Sequence, residues 1–354
     1  MRAAVFHELK KPLTVETLPD PTPGAGEVVI EVCRCGICGS DLHLFHDGPM
    51  PPAPTTDTPH PLSGETLPVV LGHEFSGKVV GLGKIAGTYG LQEGDRVAVC
   101  PIQSCGACNS CRAGKPQFCA NLAVLGVTTD GGFAQFAKTK AAHAYKLPDN
   151  LTDEQGAFVE MLAAAVNAVH KAAVQPDDFA VIYGPGPVGL SMVQLLRNEG
   201  ARVAVVGHGG YRLDVAKQLG ADFVFEGGDD LADKIREANG GNLADRVIVA
   251  TGSMGANQQA LEISGPGSTV IYMGVTGPED AVQLPMLTSL IQDKTIRFSL
   301  WYPFQWPRTI SMLAHAEVDT GPIITHSAPL DGIGAAIDRV VGREDGVLKT
   351  VITP

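Results

Sequence analysis

Predicted strands and helices alternate over residues 179–273, and this alternation limits the possible folds more than any other feature of the chain. Phe179–Tyr183 is a short apolar run, typical of a strand buried on both faces, and a glycine turn and a helical pattern at 188–199 follow it. The same order repeats in strands at 202–206, 223–225, 246–250 and 268–273 and in helices at 211–219, 231–238 and 256–263. The alternation predicts an α/β fold with a doubly wound parallel sheet.

The residues before 150 have a different pattern, in which short strands are separated by turn-forming residues. The predicted strands lie at 2–6, 13–16, 27–33, 78–82, 131–137 and 144–147, and the segment 94–99 is predicted to be a turn followed by another strand. They predict a small, mostly β domain. Thr152 and Gln155 then match a capping box at the start of a helix that runs to residue 174. We therefore predict domains at 1–150 and 151–297, and an irregular segment at 298–354 that returns to the first domain.

Length and charge restrict the class of protein. The 354 residues suit two domains, and the net charge of -12, without a run of basic residues, argues against nucleic acid or an anionic membrane as a partner. No window of eighteen apolar residues occurs, and the first residues alternate like a strand, so we expect neither a membrane span nor a signal peptide. We expect a cytoplasmic protein that acts on small molecules.

Four of the eight cysteines lie in one short segment. Cys105, Cys108, Cys111 and Cys119 follow the spacing C-x2-C-x2-C-x7-C, and four thiolates on one loop can surround a zinc ion. Because protein fills all four positions, such a zinc is structural. Buried or paired cysteines and an iron–sulfur cluster are the alternatives.

The glycine turn after Phe179–Tyr183 matches the pattern G-x-G-x-x-G. It follows an apolar strand and opens a helix, as a dinucleotide-binding turn requires, although a simple tight turn is the alternative. The helix N-terminus would bind a pyrophosphate. The predicted cofactor-binding residues of the turn are Gly184, Gly186, Pro187, Val188 and Gly189.

The end of the next strand predicts which dinucleotide binds. An NAD site carries a carboxylate there for the ribose 2′-hydroxyl, but this chain has Gly207, with His208 and Arg212 close behind it and no carboxylate among them. A glycine leaves space and the two basic side chains supply positive charge for a 2′-phosphate. We predict that NADP(H) is preferred over NAD(H).

The stretch 35–43 has the composition of a second metal site. Cys38 lies in a glycine-flanked turn after a strand, whereas Cys33 and Cys35 are predicted to pack in that strand. A catalytic zinc needs three protein ligands and one open position, and His73, which follows Gly72 at the edge of another strand, can supply an imidazole. A histidine alone is more often structural, so the prediction for His73 rests on its combination with Cys38. The proline-rich stretch 49–68 is predicted to be a long loop that covers this site.

With these motifs, the chain resembles the zinc-containing medium-chain alcohol dehydrogenases over nearly its whole length. The segments 60–65 and 71–77, with 41–43 and 47–49, are most similar to the butanediol dehydrogenase branch, near the sorbitol and threonine dehydrogenases. The resemblance implies a GroES-like catalytic domain at 1–150 that binds zinc, a Rossmann domain at 151–297 that binds NAD(P), two zinc ions per chain, and a homodimer or homotetramer.

The resemblance also implies roles for single residues at the catalytic zinc. The third ligand, or the partner of its water, is Glu160, although the proline that follows this glutamate in the family is Met161 here. A solvated helix carboxylate is the alternative reading of Glu160, and Glu74 is the rival ligand.

Four further residues take roles by the same resemblance. Asp41 orients His73, Ser40 contacts the substrate oxygen, and His43 passes the proton outward. Lys349 corresponds to a basic residue that lies near the pyrophosphate and near Glu74, with a surface lysine as the alternative.

The predicted function is therefore oxidation of a secondary alcohol or a vicinal diol, of the 2,3-butanediol and acetoin type, by hydride transfer to NADP or NAD. A polyol or amino-alcohol dehydrogenase is one alternative, and a non-catalytic dinucleotide-binding protein is another. The aromatic segment 300–306, which holds Trp301 and Trp306, is predicted to line the substrate pocket or a subunit interface.

Overall fold

A computed structural model describes residues 1–46, 56–302 and 304–354. Residues 49–55 of the predicted covering loop and residue 303 of the aromatic segment therefore lie outside the described residues. The chain divides into two compact units: unit 1 comprises 1–161, 301–314 and 324–354, and unit 2 comprises 162–300 and 315–323. The divisions fall after Met161 and Leu300, whereas the sequence placed boundaries after residues 150 and 297.

Eighteen strands are present in the described residues: β1 (Arg2–Phe6), β2 (Thr14–Thr17), β3 (Glu27–Gly36), β4 (Val69–Val70), β5 (Glu74–Leu82), β6 (Arg96–Val99), β7 (Ile102–Gln103), β8 (Ala123–Val124), β9 (Phe136–Lys140), β10 (Ala144–Lys146), β11 (Phe179–Tyr183), β12 (Arg202–Gly207), β13 (Phe223–Glu226), β14 (Ala244–Val249), β15 (Ser264–Tyr272), β16 (Thr295–Phe298), β17 (Ile324–Pro329) and β18 (Lys349–Thr353).

Ten α-helices accompany the strands in the same part of the chain: α1 (Gly39–His46), α2 (Asn109–Arg112), α3 (Asp153–Ala172), α4 (Pro187–Asn198), α5 (Tyr211–Gln218), α6 (Leu231–Ala238), α7 (Met254–Glu262), α8 (Met286–Ile291), α9 (Trp306–Ala314) and α10 (Ile333–Val341). None of the described helices is both long and apolar enough to cross a lipid bilayer.

Unit 1 is built on a seven-stranded sheet with the order β10-β6-β5-β3-β18-β17, in which β9 also pairs with β3. The central strand β3 buries Val28 and Ile30 completely, and its antiparallel neighbours β5 and β18 deliver His73, Glu74 and Lys349 beside its C-terminal end. A second sheet, β2-β1-β4, covers part of the core. The pairing of β18 with β3 places the end of the chain at the metal-binding residues.

Unit 2 is a six-stranded parallel sheet with the order β13-β12-β11-β14-β15-β16. All five residues of β11 are buried, as its apolar sequence predicts for an inner parallel strand. The capping box at the start of α3 is confirmed, because Thr152 N donates to Gln155 Oε1 at 3.0 Å and Gln155 N donates to Thr152 Oγ1 at 3.2 Å.

Two predictions about local structure are wrong. Residues 131–135 are not a strand, because the amides of Gly131 and Gly132 donate to the carbonyls of Val70 and Gly72 in a loop contact. The segment after residue 298 is also not irregular: it forms α9, β17, α10 and β18. Each of these elements has nine residues or fewer, so each offers only a short window for prediction from sequence.

Candidate active site and metal centres

Cys38 lies between the end of β3 at Gly36 and the start of α1 at Gly39. The residues after it, Ser40, Asp41 and His43, lie on α1, a helix that the sequence analysis missed. Asp41 Oδ2 accepts a hydrogen bond of 2.9 Å from Cys38 N, three residues before it in the chain. This short-range bond fixes the backbone of Cys38 against the start of the helix.

His73 immediately precedes β5 and is buried, with 6% of its surface exposed. Its Nδ1 lies 3.4 Å from Asp41 Oδ1, and its Nε2 lies 3.1 Å from Ser40 Oγ. Burial lowers the pKa of His73, but the charges of Asp41 and Cys38 outweigh burial, so the pKa lies well above its usual value. The structure thus brings Asp41 and Ser40 to opposite edges of one imidazole.

Three potential metal ligands converge at this position. The sulfur of Cys38, a ring nitrogen of His73 and a carboxylate oxygen of Glu74 all lie within 4.8 Å of one another. Among the described residues, Glu74 Oε1 is buried without a hydrogen-bond partner, while Asp41 Oδ1 and His73 Nδ1 face each other. An unsatisfied carboxylate oxygen beside a thiol and an imidazole fits a bound zinc ion.

Glu74 also has a buried cationic partner. Lys349, on β18, forms an ion pair with Glu74 Oε2 and donates a 2.9 Å hydrogen bond to the carbonyl of Ile37. Only 4% of Lys349 is exposed, so the alternative of a surface lysine is wrong. Burial lowers the pKa of Lys349, but Glu74 and Cys38 outweigh it, and the pKa is raised.

Glu160 lies near this group but is not part of it. It is on α3 and is 4% exposed, so the alternative of a solvated carboxylate is wrong. The hydroxyl of Tyr302 donates a hydrogen bond to Glu160 Oε1. Burial raises the pKa of Glu160 to about 8. Tyr302 was not predicted as a partner of Glu160, and its only signal in the sequence was its place in the aromatic segment.

The four cysteines of the second group lie close together. The sulfurs of Cys105, Cys108, Cys111 and Cys119 lie within 4.8 Å of one another, and none of the eight cysteines forms a disulfide. Backbone amides donate to the sulfurs, with Cys105 N 3.3 Å from Cys119 Sγ and Cys108 N 3.4 Å from Cys105 Sγ. Amide donors lower the pKa of Cys108 to about 6, and this favours the thiolate that a zinc ion requires.

In unit 2 the glycine turn connects β11 to α4. Gly186 is the N-cap of the helix and Pro187 is its first residue, so no side chain caps the first amides. A Cβ on Gly189 would lie 2.0 Å from the carbonyl oxygen of Gly184, and only glycine allows the turn to pack this closely. The open amides of a twelve-residue helix fit a pyrophosphate.

The end of β12 holds the residues predicted to select the dinucleotide. Gly207 is the last residue of the strand, His208 follows it in the loop, and Arg212 lies on α5. The structure adds a carboxylate to this loop: Glu226, the last residue of β13, is paired in register with Gly207. Glu226 was not predicted as a site residue, because it lies nineteen positions further along the chain than Gly207.

The family is decided by comparison with known proteins. Residues 24–149 match the model of the alcohol dehydrogenase GroES-like domain, and residues 187–315 match that of the zinc-binding dehydrogenases. The chain belongs to the zinc-binding alcohol dehydrogenase family. It is therefore a zinc- and NAD(P)-dependent dehydrogenase, and the α/β fold with a GroES-like domain is confirmed.

Individual relatives of this dehydrogenase extend over its whole length. It is 32% identical to the (R,R)-butanediol dehydrogenase of Bacillus subtilis (strain 168), covering 100% of both chains. An Escherichia coli CFT073 structure described as a short chain alcohol dehydrogenase, complexed with NADH, has a TM-score of 0.88 and 28% identity, covering 100% of this chain and 99% of that one. A Sinorhizobium meliloti 1021 zinc-binding dehydrogenase bound to NADP has a TM-score of 0.89 and 27% identity, with the same coverage.

Proposed function

We propose that this dehydrogenase oxidises a secondary alcohol or a vicinal diol of the 2,3-butanediol and acetoin type. The observation that supports it most is the position of Ser40 Oγ, 3.1 Å from Nε2 of His73, with Cys38 Sγ and a Glu74 oxygen in the same group. Since Asp41 lies at Nδ1, Nε2 is the nitrogen that faces the metal. A hydroxyl at that nitrogen is therefore close to where a substrate oxygen binds.

The two carboxylates differ in their partners. Glu74 Oε2 is paired with Lys349, whose ammonium would be buried without a countercharge if that pair broke, but Glu74 Oε1 has no hydrogen-bond partner. Glu160 Oε1 accepts a hydrogen bond from the neutral hydroxyl of Tyr302, and breaking this bond costs about 1 kcal/mol. By the family resemblance we assign Cys38, His73 and Glu160 as the ligands of the catalytic zinc, with Glu74 as the countercharge of Lys349 and the alternative third ligand. Cys105, Cys108, Cys111 and Cys119 hold the structural zinc.

In this proposal the side chains of α1 handle the proton. A zinc ion held there would supply the Lewis acid that lowers the pKa of an alcohol hydroxyl, and a nicotinamide would supply the hydride acceptor. Ser40 takes the hydroxyl proton and His43, one turn further along the helix, passes it outward. Asp41 keeps the imidazole of His73 in one orientation through Nδ1.

The substrate class rests on similarity and on the aromatic segment. The relative from Bacillus subtilis is a butanediol dehydrogenase, which supports a diol; a polyol or amino-alcohol is the second candidate. Trp301 and Tyr302 are half-buried and available to contact substrate. Trp306 is not: it is 1% exposed and stacks on Tyr145 with ring centroids 5.5 Å apart, so it belongs to the core of unit 1.

For the cofactor, NADP(H) is proposed as the preferred dinucleotide. The basic side chains of His208 and Arg212 follow the end of β12, and Gly207 lets that strand end pack against Pro185, because a Cβ there would lie 2.7 Å from Pro185 Cγ. Within unit 2, the glycine turn holds the pyrophosphate through Gly184, Gly186, Pro187, Val188 and Gly189. Lys349 is proposed to contribute to the pyrophosphate site by resemblance alone.

A homodimer or homotetramer is also proposed. Strand β16 is an edge of the parallel sheet, and Phe298 at its end is 73% exposed. The neighbouring helix α8 exposes Leu290 and Ile291 by 78% and 75%. An apolar surface next to an open strand edge is typical of a subunit contact.

Eight unpaired thiols support a reducing compartment, such as the cytoplasm.

The central test replaces Cys38 by serine in the zinc-loaded protein. We expect no measurable oxidation of 2,3-butanediol, one catalytic zinc fewer per chain, and unchanged binding of the dinucleotide. Cys33→Ser is the matched control, because Cys33 lies within β3 and outside the metal group. Turnover that survived in Cys38→Ser would refute the assignment. A panel of diols, acetoin, polyols and simple secondary alcohols with both dinucleotides then separates the substrate classes.

A further inference from the structure

The loop after β12 receives a carboxylate from the neighbouring strand. β12 ends at Gly207 and β13 ends at Glu226, and these two residues are partners in the parallel register. The carboxyl ends of parallel strands lie at one edge of a sheet, where dinucleotides bind in this class of fold. Glu226 therefore reaches the loop in which the adenosine ribose is expected.

The contact between this carboxylate and the loop is close. A Cβ built on Gly209 would lie 2.6 Å from Glu226 Oε1 and 3.3 Å from its Cδ. Gly209 has a φ of 83°, which also favours glycine at this position. The carboxylate thus occupies the space that a side chain at residue 209 would fill, directly against the backbone of the loop.

The position of this charge has a consequence for the two dinucleotides. They differ at the ribose 2′ position, where NADP(H) carries a phosphate with about two negative charges and NAD(H) carries a hydroxyl. A carboxylate beside the loop repels the phosphate but can accept a hydrogen bond from the hydroxyl. The basic side chains of His208 and Arg212 have the opposite effect, because they attract the phosphate.

We propose that Glu226 is a specificity-determining residue that weakens NADP(H) binding relative to NAD(H). The proposal rests on the dinucleotide site proposed above and refines it. In NAD sites an acidic residue at the end of the second strand binds the ribose 2′-hydroxyl. Glu226 has this role here, although it lies at the end of the third strand of unit 2 in chain order. It limits the NADP(H) preference that Gly207, His208 and Arg212 support.

The test measures dissociation constants by calorimetry for the zinc-loaded full chain with four nucleotides: NADP+, NAD+, adenosine 2′,5′-bisphosphate and ADP. In Glu226→Gln we expect the two 2′-phosphorylated nucleotides to bind about five- to tenfold more tightly, from the loss of one nearby charge in a water-exposed loop. NAD+ and ADP should stay within about twofold of wild type or bind more weakly. Glu226→Asp, which keeps the charge, should resemble the wild type.

Glu237→Gln is the matched control, because Glu237 is an exposed acid of the same unit on α6, away from the loop. It should leave all four constants unchanged. Equal changes for both nucleotide pairs in Glu226→Gln, or none, would overturn the role of Glu226 while leaving the dinucleotide site in place. A wild-type chain that binds none of the four nucleotides would instead overturn the site itself, and the role of Glu226 with it.

Discussion

The ammonium of Lys349 forms an ion pair with the carboxylate of Glu74, and 4% and 0% of the two side chains are exposed. Lys349 comes from β18, near the end of the chain, and Glu74 from β5. Neither charge has water as an alternative partner, so each depends on the other. The pair engages Oε2 of Glu74, while Oε1 has no hydrogen-bond partner and the carboxylate lies next to Cys38 and His73.

Replacing Lys349 by methionine should therefore destabilise the protein. The variant leaves the Glu74 carboxylate buried without its cation, which costs about 3–5 kcal/mol. Urea unfolding of the zinc-loaded protein measures the loss. The double variant Lys349→Met, Glu74→Gln should recover most of it, because no charge is then left unpaired. Equal destabilisation of the single and double variants would show that packing, and not charge, is responsible.

The stability of the folded chain should also depend on the protonation of His143. Burial, assisted by Lys140, lowers the pKa of His143 from 6.5 to about 4. The folded state therefore keeps the ring neutral, while the unfolded chain binds a proton below pH 6.5. The contribution of the neutral ring to the unfolding free energy is fully present above pH 6.5 and is lost as the pH falls towards 4. The loss is at most about 3 kcal/mol.

Thermal or urea unfolding between pH 4 and pH 7 tests this dependence. The stability of His143→Gln should fall less than that of the wild type over this range. His208→Gln is the control for the same substitution at an exposed histidine. Parallel curves for wild type and His143→Gln would exclude a contribution from this residue.

Removing one ligand of the four-cysteine group should separate structural from catalytic zinc. In Cys111→Ser we expect one zinc per chain instead of two, and a lower unfolding temperature, because zinc binding contributes directly to the stability of such a loop. Metal analysis together with calorimetry provides the measurement. Two retained zinc ions in Cys111→Ser would contradict the four-thiolate site.

The capping box at the start of α3 offers a smaller and cleaner test. Thr152→Ala removes the acceptor of the Gln155 amide and should cost about 1 kcal/mol in unfolding free energy. Because the two side chains cap each other's backbone, the double variant Thr152→Ala, Gln155→Ala should lose less unfolding free energy than the sum of the losses in the two single variants. Additive losses would mean that the two bonds act independently.

Much of the fold was predictable because its signals are local. The limits of β1, β11 and α6 agree with the predicted ranges, since each has a clear apolar period between turn residues. α1 was missed because its eight residues begin with Gly39, Ser40 and Asp41 and carry no strong apolar stripe. β16 was missed because it is a four-residue edge strand with mostly exposed side chains.

The sequence by itself determined the four-cysteine group, the glycine turn and the turn that carries Cys38, because the residues of each lie within a few positions of one another and one loop or helix end brings them together. Only the tertiary structure decided the partners of the buried carboxylates. Lys349 reaches Glu74 because β18 and β5 are both neighbours of β3, and Tyr302 reaches Glu160 across 142 positions of the chain. Such contacts depend on the order of the strands in the sheet and on the return of the chain to unit 1. The spacing of residues along the sequence does not encode them.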